Sequence, residues 1–318
     1  VSETSEPDVD TFRTDVINGL SARPRAISCK YLYDTRGSEL FERICHTPEY
    51  YVTRADLALH ESHLNDIAAR IGPDAHVIEL GSGAGIKTRQ LLASLHSPRA
   101  YTPIEISAAA LTRSSRELEA AFPDIEIVPV QADYTQPIPA EAFALNPPAK
   151  RRIVYFPGST ISNFESDQAV HFLQRLGRIA GPDGAVLVGV DLVKPADQLI
   201  KAYDDADGVT SEFNRNLLVR MQRELGADID LEAFTHEARW NEAHSRIEMH
   251  LVARRPTTIV IDGHQFAFEA GESIHTENSH KYSVESFQAL AARAGLQSDM
   301  VWFDPDGVFS MHWLVADA

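Results

Sequence analysis

The sequence predicts an α/β fold: an open, mostly parallel, seven-stranded sheet covered by helices on both faces, with a smaller α+β unit appended. Three observations carry this reading. Short apolar strands alternate with helical stretches from Val77 to Val190. A glycine-rich turn follows the first of those strands. After Lys194 the rhythm changes to one long helical segment and then to runs of strand character.

Taken in order, the first ten residues read as disordered. A helix around Val9–Leu20 leads to Tyr31-Leu32-Tyr33-Asp34, and Ser38–Ile44 is a short amphipathic stretch. From Arg54 to Ile71 the apolar positions Leu57, Leu59, Leu64, Ile67, Ala68 and Ile71 recur at helical spacing. Strands follow at Val77–Leu80, Tyr101–Ile104, Ile125–Val130, Ile153–Phe156 and Ala185–Val190. Helices at Ile86–Leu95, Ser107–Ala121 and Asp167–Ile179 supply the crossovers that parallel strands require. Beyond Lys194 a helical segment covers Ala196–Leu225, then strands come at Phe234–Asn241, Arg246–Ala253, Thr257–Ile261 and Gln265–Phe268. The helix Val284–Ala294 and the strands Asp299–Phe303 and Phe309–Val315 complete the first sheet with an antiparallel end. The expected organisation is therefore 1–54 joining the smaller unit, 55–195 the first part of the main domain, 196–283 the inserted α+β unit, and 284–318 the completion of the sheet.

At 318 residues, 44% of them hydrophobic, the chain has enough material for a substantial core. Its net charge of −17 argues against a nucleic-acid or anionic-membrane partner. The two cysteines, Cys29 and Cys45, have neither metal nor redox spacing. No apolar run approaches the length of a membrane span, and the N-terminus is acidic and polar, so the expectation is a soluble, cytoplasmic protein. Among 13 histidines, His60 and His63 sit at i, i+3 and read as a solvated helix face; His244, His250, His264, His275 and His280 lack ligand spacing. No metal is expected.

The strand Val77-Ile78-Glu79-Leu80 runs directly into Gly81-Ser82-Gly83-Ala84-Gly85. Glycines let a backbone turn tightly and come close to a ligand. The spacing is G-x-G-x-G, and Ile86 stands where the dinucleotide fingerprint G-x-G-x-x-G has its last glycine. An acidic residue two positions before the first glycine is a second departure from that fingerprint. The loop resembles the first motif of class I S-adenosylmethionine-dependent methyltransferases, whose fold is a Rossmann-like seven-stranded sheet. Ligands of such sheets bind at the carboxyl ends of the strands. The expected cofactor residues are Glu79, Gly81, Ser82 and Gly83 at the methionine part, Glu105 at the ribose hydroxyls, Asp133 with Tyr134 at the adenine, and Lys87 at the cofactor carboxylate. Alone, each acid reads as a solvated loop residue and Lys87 as an exposed lysine; their positions after that glycine loop tip the balance.

The fourth strand ends in Phe156-Pro157-Gly158-Ser159-Thr160-Ile161-Ser162-Asn163. With Tyr31-Leu32-Tyr33-Asp34-x-x-Gly37-Ser38, Pro48-Glu49-Tyr50-Tyr51-x-Thr53-Arg54, Asp191-Leu192-Val193-Lys194, Ala202-Tyr203-Asp204-Asp205, Phe213-Asn214-Arg215-Asn216, Arg246-Ile247-Glu248-Met249 and Thr276-Glu277-x-Ser279-x-Lys281, the chain resembles the L-histidine Nα-methyltransferases of ergothioneine biosynthesis from about residue 10 to its end. That resemblance implies trimethylation of the α-amine of L-histidine to hercynine, with S-adenosylhomocysteine as the other product. It puts the catalytic, amine-orienting groups on Asn163 and Tyr33. It puts substrate contacts on Tyr50, Gly158, Thr160, Asn163 and Tyr203, and the imidazole pocket on Glu277, Ser279 and Met249. An amide both accepts and donates, phenols donate without adding a full charge, and a carboxylate accepts an imidazole N–H. Taken singly, a tyrosine or Met249 is ordinary packing and Glu277 a surface acid. Two departures stand out: Ala84-Gly85-Ile86 in the first loop, and Ser162 where glycine is expected, a costly exchange if φ there is positive. The alternatives are an N-methyltransferase of another amino acid or small amine, a non-catalytic S-adenosylmethionine-binding module and, last, an NAD-dependent oxidoreductase. A monomer is the expectation, its only partner the small-molecule substrate.

Overall fold

The computed structural model describes residues 9–81 and 85–317. Ser82 and Gly83, expected at the cofactor, lie outside the described residues, as do residues 1–8 of the stretch read as disordered. By its internal contacts the chain divides into two compact units, one of residues 54–192 with 282–318, the other of 7–53 with 193–281. In chain order the strands are β1 (Ala75–Leu80), β2 (Ala100–Glu105), β3 (Glu126–Ile127), β4 (Val130–Gln131), β5 (Arg151–Phe156), β6 (Ala185–Asp191), β7 (Phe234–Asn241), β8 (Arg246–Ala253), β9 (Thr257–Ile261), β10 (His264–Phe268), β11 (Ser273–His280), β12 (Leu296–Phe303) and β13 (Phe309–Ala316).

The first unit is built on the sheet β12-β13-β6-β5-β1-β2-β3, with β4 also paired to β2. Pairing is parallel from β6 to β3 and β4, while β13 runs antiparallel to both β6 and β12. β1 and β6 are buried along their whole length, as apolar strands covered on both faces must be. Strand order reverses between β1 and β5, so the crevice expected to take a ligand opens at their carboxyl ends, where Gly81 and Gly158 lie. The helices Ser166–Ala180 and Val284–Arg293 cover the sheet through Phe172, Leu173, Leu176, Phe287 and Leu290, packed with Phe156 and Val188. The stretch Ile125–Val130, read as one strand, is two short pieces. Pro129 between them has no N–H to give a neighbouring strand.

The second unit holds the antiparallel sheet β11-β8-β7 and the hairpin β10-β9. Asp262 and Gly263 both have positive φ at the hairpin turn, as a two-residue loop of this hand requires. The single helix expected over Ala196–Leu225 is in fact two, Ala196–Ala202 and Val209–Leu225. Asp205 explains the break: its carboxylate accepts from Val209 N (2.9 Å) and Thr210 N (2.7 Å), starting the second helix. Asp34 does the same for the helix Thr35–Ile44, accepting from Gly37 N at 2.7 Å. The Asp34 carboxylate also receives Asn216 Nδ2 at 2.8 Å and Arg223 Nη2 at 2.6 Å, which fixes the neighbouring Tyr33 against the long helix.

The core of the first unit makes a direct prediction. Phe172 is 1% exposed and its ring meets those of Phe156 (5.0 Å between centroids) and Phe164 (4.7 Å). Phe172→Ala should lower unfolding free energy by about 3–5 kcal/mol through lost burial and a cavity, read from urea denaturation followed by circular dichroism.

Candidate active site

In the first unit the residues expected to hold a cofactor sit around the strand ends. Gly81 has φ +73° and a Cβ there would approach Tyr134 Cε1 to 3.3 Å, so the backbone turns beside an aromatic face where a side chain would be strained. Gly85, φ +70°, starts the helix Ile86–Ser94. Glu105 ends β2 half-buried; its Oε1 accepts from Ile106 N (2.9 Å) and Ser107 N (3.3 Å), while Oε2 has no hydrogen bond among the described residues. Asp133 is held alike, its Oδ1 accepting from Thr135 N at 2.8 Å and Thr135 Oγ1 at 2.6 Å. Each carboxylate is thus fixed through one oxygen, and the other is able to accept from a hydroxyl or amine. This donor set and the glycine turn fit S-adenosylmethionine.

Two expected cofactor residues have other engagements. Glu79 is 2% exposed and its Oε2 accepts from Thr88 Oγ1 (2.6 Å) and from the Tyr101 hydroxyl. Burial pushes its carboxyl up to about 7, against the pull of those two donors. Lys87 donates from Nζ to Asp56 Oδ2 at 2.6 Å, and that same oxygen accepts from Gly158 N at 2.9 Å. Asp56 is fully buried; burial opposes its ionisation, but the Lys87 ammonium and the His60 ring hold it well below the usual carboxylate range. His60 is likewise fully buried and lies 2.6 Å from the Tyr155 hydroxyl through Nε2, so the solvated face expected for it is corrected. Helical periodicity gave its neighbours but not what packs on that side. His63 is half-buried, 3.0 Å from the Phe303 carbonyl.

The turn after β5 places Gly158 (φ +76°), Ser159 (φ +60°) and the short helix Thr160–Asn163. The strained residue is Ser159, and Ser162 does not have positive φ, so serine is tolerated there in place of glycine. Ser162 Oγ lies 2.6 Å from Ser159 Oγ, which accepts from Asp191 N at 2.8 Å. Asn163 closes this turn half-buried, and Thr160 Oγ1 donates to the Pro157 carbonyl at 3.3 Å.

The second unit gathers most of the expected substrate residues. Tyr50 and Tyr203 meet edge to face at 5.9 Å, and Phe41 lies between Tyr33 (5.5 Å) and Tyr50 (6.2 Å). Glu277 pairs with Met249 across β11 and β8, and Ser279 pairs with Ile247. A β-bulge between His275 and Glu277 shifts the register, so His275 faces with His250 while Glu277, two residues on, shares the opposite face with Met249. Thr276, the extra residue, lies 2.7 Å from Asn214 Oδ1; Asn214 Nδ2 is 2.9 Å from His236 Nδ1, and His236 Nε2 donates to the Tyr203 carbonyl at 2.8 Å. This buried chain joins the bulge to the backbone of Tyr203. Sequence reasoning quoted Asn214 and Thr276 without assigning them a part.

Glu277 is 8% exposed and, among the described residues, its Oε2 has no hydrogen-bond partner. Burial pushes its carboxyl up to about 8, against the attraction of Lys281. On the other face of the same sheet, Glu248, His250 and His275 bring their ligand atoms within 4.8 Å of one another, a proximity that sequence spacing concealed. Glu248 is already claimed by Asn241 Nδ2 (2.9 Å) and Arg246 Nη2 (2.7 Å).

The raised Glu277 carboxyl has a testable sign. An unfolded chain releases this proton near the ordinary carboxylate value, whereas the ligand-free fold keeps it to about pH 8. Stability attributable to this group therefore falls as pH rises between those values, by up to about 1.4 kcal/mol per pH unit. Glu277→Gln should melt increasingly above the unaltered protein as pH is raised from 5 to 8; parallel melting curves across that range would contradict the assignment.

The sequence model for "Histidine-specific methyltransferase, SAM-dependent" matches residues 12–316. The chain is 39% identical to the histidine N-alpha-methyltransferase of Mycolicibacterium smegmatis, covering 95% of this chain and 94% of that one. It is 29% identical to ergothioneine biosynthesis protein 1 of Neurospora crassa, over 88% of this chain and 32% of that longer protein. Identity to the 4-dimethylallyltryptophan N-methyltransferase easF of Claviceps purpurea is 23%, over 92% and 91%. A solved S-adenosylmethionine-dependent methyltransferase from Clostridium acetobutylicum overlays with a TM-score of 0.45 at 9% identity, covering 85% of this chain and 92% of that one. The chain belongs to the S-adenosylmethionine-dependent, histidine-specific methyltransferases.

Proposed function

We propose that the protein methylates the α-amine of L-histidine three times to give hercynine, the first step of ergothioneine biosynthesis. The observation that carries this is the buried, unpartnered Glu277 Oε2, facing with Met249 on a strand that also bears Ser279. A buried acceptor without a donor is costly, and an imidazole N–H supplies the donor. S-adenosylmethionine supplies an electrophilic methyl when bound; Gly81, Glu105, Asp133 and Tyr134 are its proposed holders, with Glu79 and Lys87 supporting their loops from beneath. Tyr50 is assigned to the substrate carboxylate, with the Tyr203 ring beside it in the same pocket. Asn163 and Tyr33 are assigned to the α-amine, accepting its hydrogens so that the lone pair is aimed. Gly158 and Thr160 are small enough to leave room for a methylated amine. Alignment of nucleophile and methyl supplies most of the acceleration in this reading, and the released proton leaves through water.

The protein is proposed to act as a cytoplasmic monomer without a metal, a nucleic-acid partner or a membrane. Among the described residues no helix is long and apolar enough to cross one. Mass spectrometry of L-histidine incubated with the protein and S-adenosylmethionine should show three methyl groups on the α-nitrogen. A product from another amino acid, with none from histidine, would refute the assignment. Glu277→Ala should lower kcat/KM for histidine by about tenfold to a hundredfold, the loss of a charge-assisted hydrogen bond of roughly 1.5–3 kcal/mol, with S-adenosylmethionine affinity unchanged.

A further inference from the structure

Lys281 ends the motif that bears Glu277 and Ser279, and its side chain is 2% exposed. Its Nζ donates to the Tyr203 hydroxyl at 2.9 Å and to Ser279 Oγ at 2.8 Å, while those two hydroxyls are 2.6 Å apart. The ammonium also lies 4.7 Å from the centroid of the Tyr203 ring. An ammonium can only donate, whereas a hydroxyl carries one hydrogen and can accept twice. Both hydroxyl oxygens must therefore accept from Lys281. One of their two hydrogens closes the bond between them, leaving the other to be given outward. The two hydroxyls thus offer one donated hydrogen between them, from either Ser279 or Tyr203.

We infer that Lys281 is a positioning residue that holds the Tyr203–Ser279 hydroxyl pair as a hydrogen donor toward the ligand. This rests on the histidine reading above and deepens it. With Tyr203 donating to Ser279, Ser279 gives its hydrogen to the unprotonated ring nitrogen while Glu277 accepts the N–H of the other, so the site reads a neutral imidazole from both sides. Without the ammonium either hydroxyl can turn and accept instead, and Glu277 loses the cation that opposes its burial.

The test uses 3-(imidazol-4-yl)propanoate, which keeps ring and carboxylate but lacks the amine whose own titration would obscure the result. Its affinity is measured by calorimetry from about pH 7 to about pH 9.5, above the ordinary imidazole value. Binding to the unaltered protein should tighten as Glu277 ionises. Lys281→Met should weaken binding by about tenfold near neutral pH and move the tightening to higher pH. In a Tyr203→Phe background the same substitution should lose less, because the two act as a unit. Lys281→Met binding with unchanged affinity and pH profile overturns the inference. So does weakening by one constant factor at every pH that simply adds to the effect of Tyr203→Phe, since that describes a merely structural lysine. If the unaltered protein neither binds this ligand nor methylates histidine, the histidine reading fails and takes the inference with it.

Discussion

One fully buried carboxylate organises the first unit. Asp56, on the helix Val52–Ile71, holds the Lys87 ammonium and the Gly158 amide on a single oxygen, and His60 one turn along connects it to Tyr155 on β5. Lys87 begins the helix after the glycine loop, and Gly158 begins the turn after β5. Asp56 therefore ties together the two loops at the point where strand order reverses. A buried ion pair brings little net stability, because desolvation offsets most of the attraction. What it supplies is specificity: any displacement of either loop leaves a charge buried and unmatched. The positive φ of Gly158 and Ser159 is held in place by such contacts.

The second unit solves a related problem with backbone rather than charge. Residues two apart on a strand share a face, so without its bulge β11 would send His275 and Glu277 the same way. The extra residue, Thr276, sends them apart, and its hydroxyl enters the polar chain of Asn214 and His236 that ends on the Tyr203 carbonyl. Burial keeps the His236 ring neutral, so one nitrogen accepts from the Asn214 amide while the other donates. The carboxyl of Glu277 and the phenol of Tyr203 are thus set by one continuous arrangement, which a change at Thr276 or Asn214 would disturb.

The sequence made the strands, the crossover helices and the antiparallel end of the sheet legible because hydrophobic periodicity is local. Where the reading erred, local chemistry had been passed over: Pro129 splits a strand, and Asp205 with Gly208 breaks a helix. The glycine loop and strand-end acids were legible for the same reason, as each motif lies within a few residues. Asp56, His60 and the bulge were not, since their meaning comes from partners far along the chain. His60 and Tyr155, 95 positions apart, carry no spacing that could reveal their contact. The blocks that marked the family are partly structural for this reason: Asp34, Asn216 and Asp205 cap and brace helices.

In the proposed reading, selectivity follows from what the buried acceptor does to the wrong guest. An apolar pocket rejects a slightly different side chain weakly, whereas a site built around a buried polar group rejects a guest lacking the matching hydrogen by roughly 10⁴-fold or more. In the proposed reading Glu277 is such a group; burial, against the pull of Lys281, keeps its proton to about pH 8, so part of the binding energy goes to ionising it. That step costs about 1.4 kcal/mol for each unit between the working pH and the carboxyl's own value. A cation close by reduces this cost, yet one in direct contact would satisfy the acceptor and erase the selectivity. Lys281 meets both demands: it lowers the Glu277 value while giving hydrogen bonds to Tyr203 and Ser279, and among the described residues Oε2 has no partner. In the histidine proposal that acceptor is the one an imidazole N–H fills.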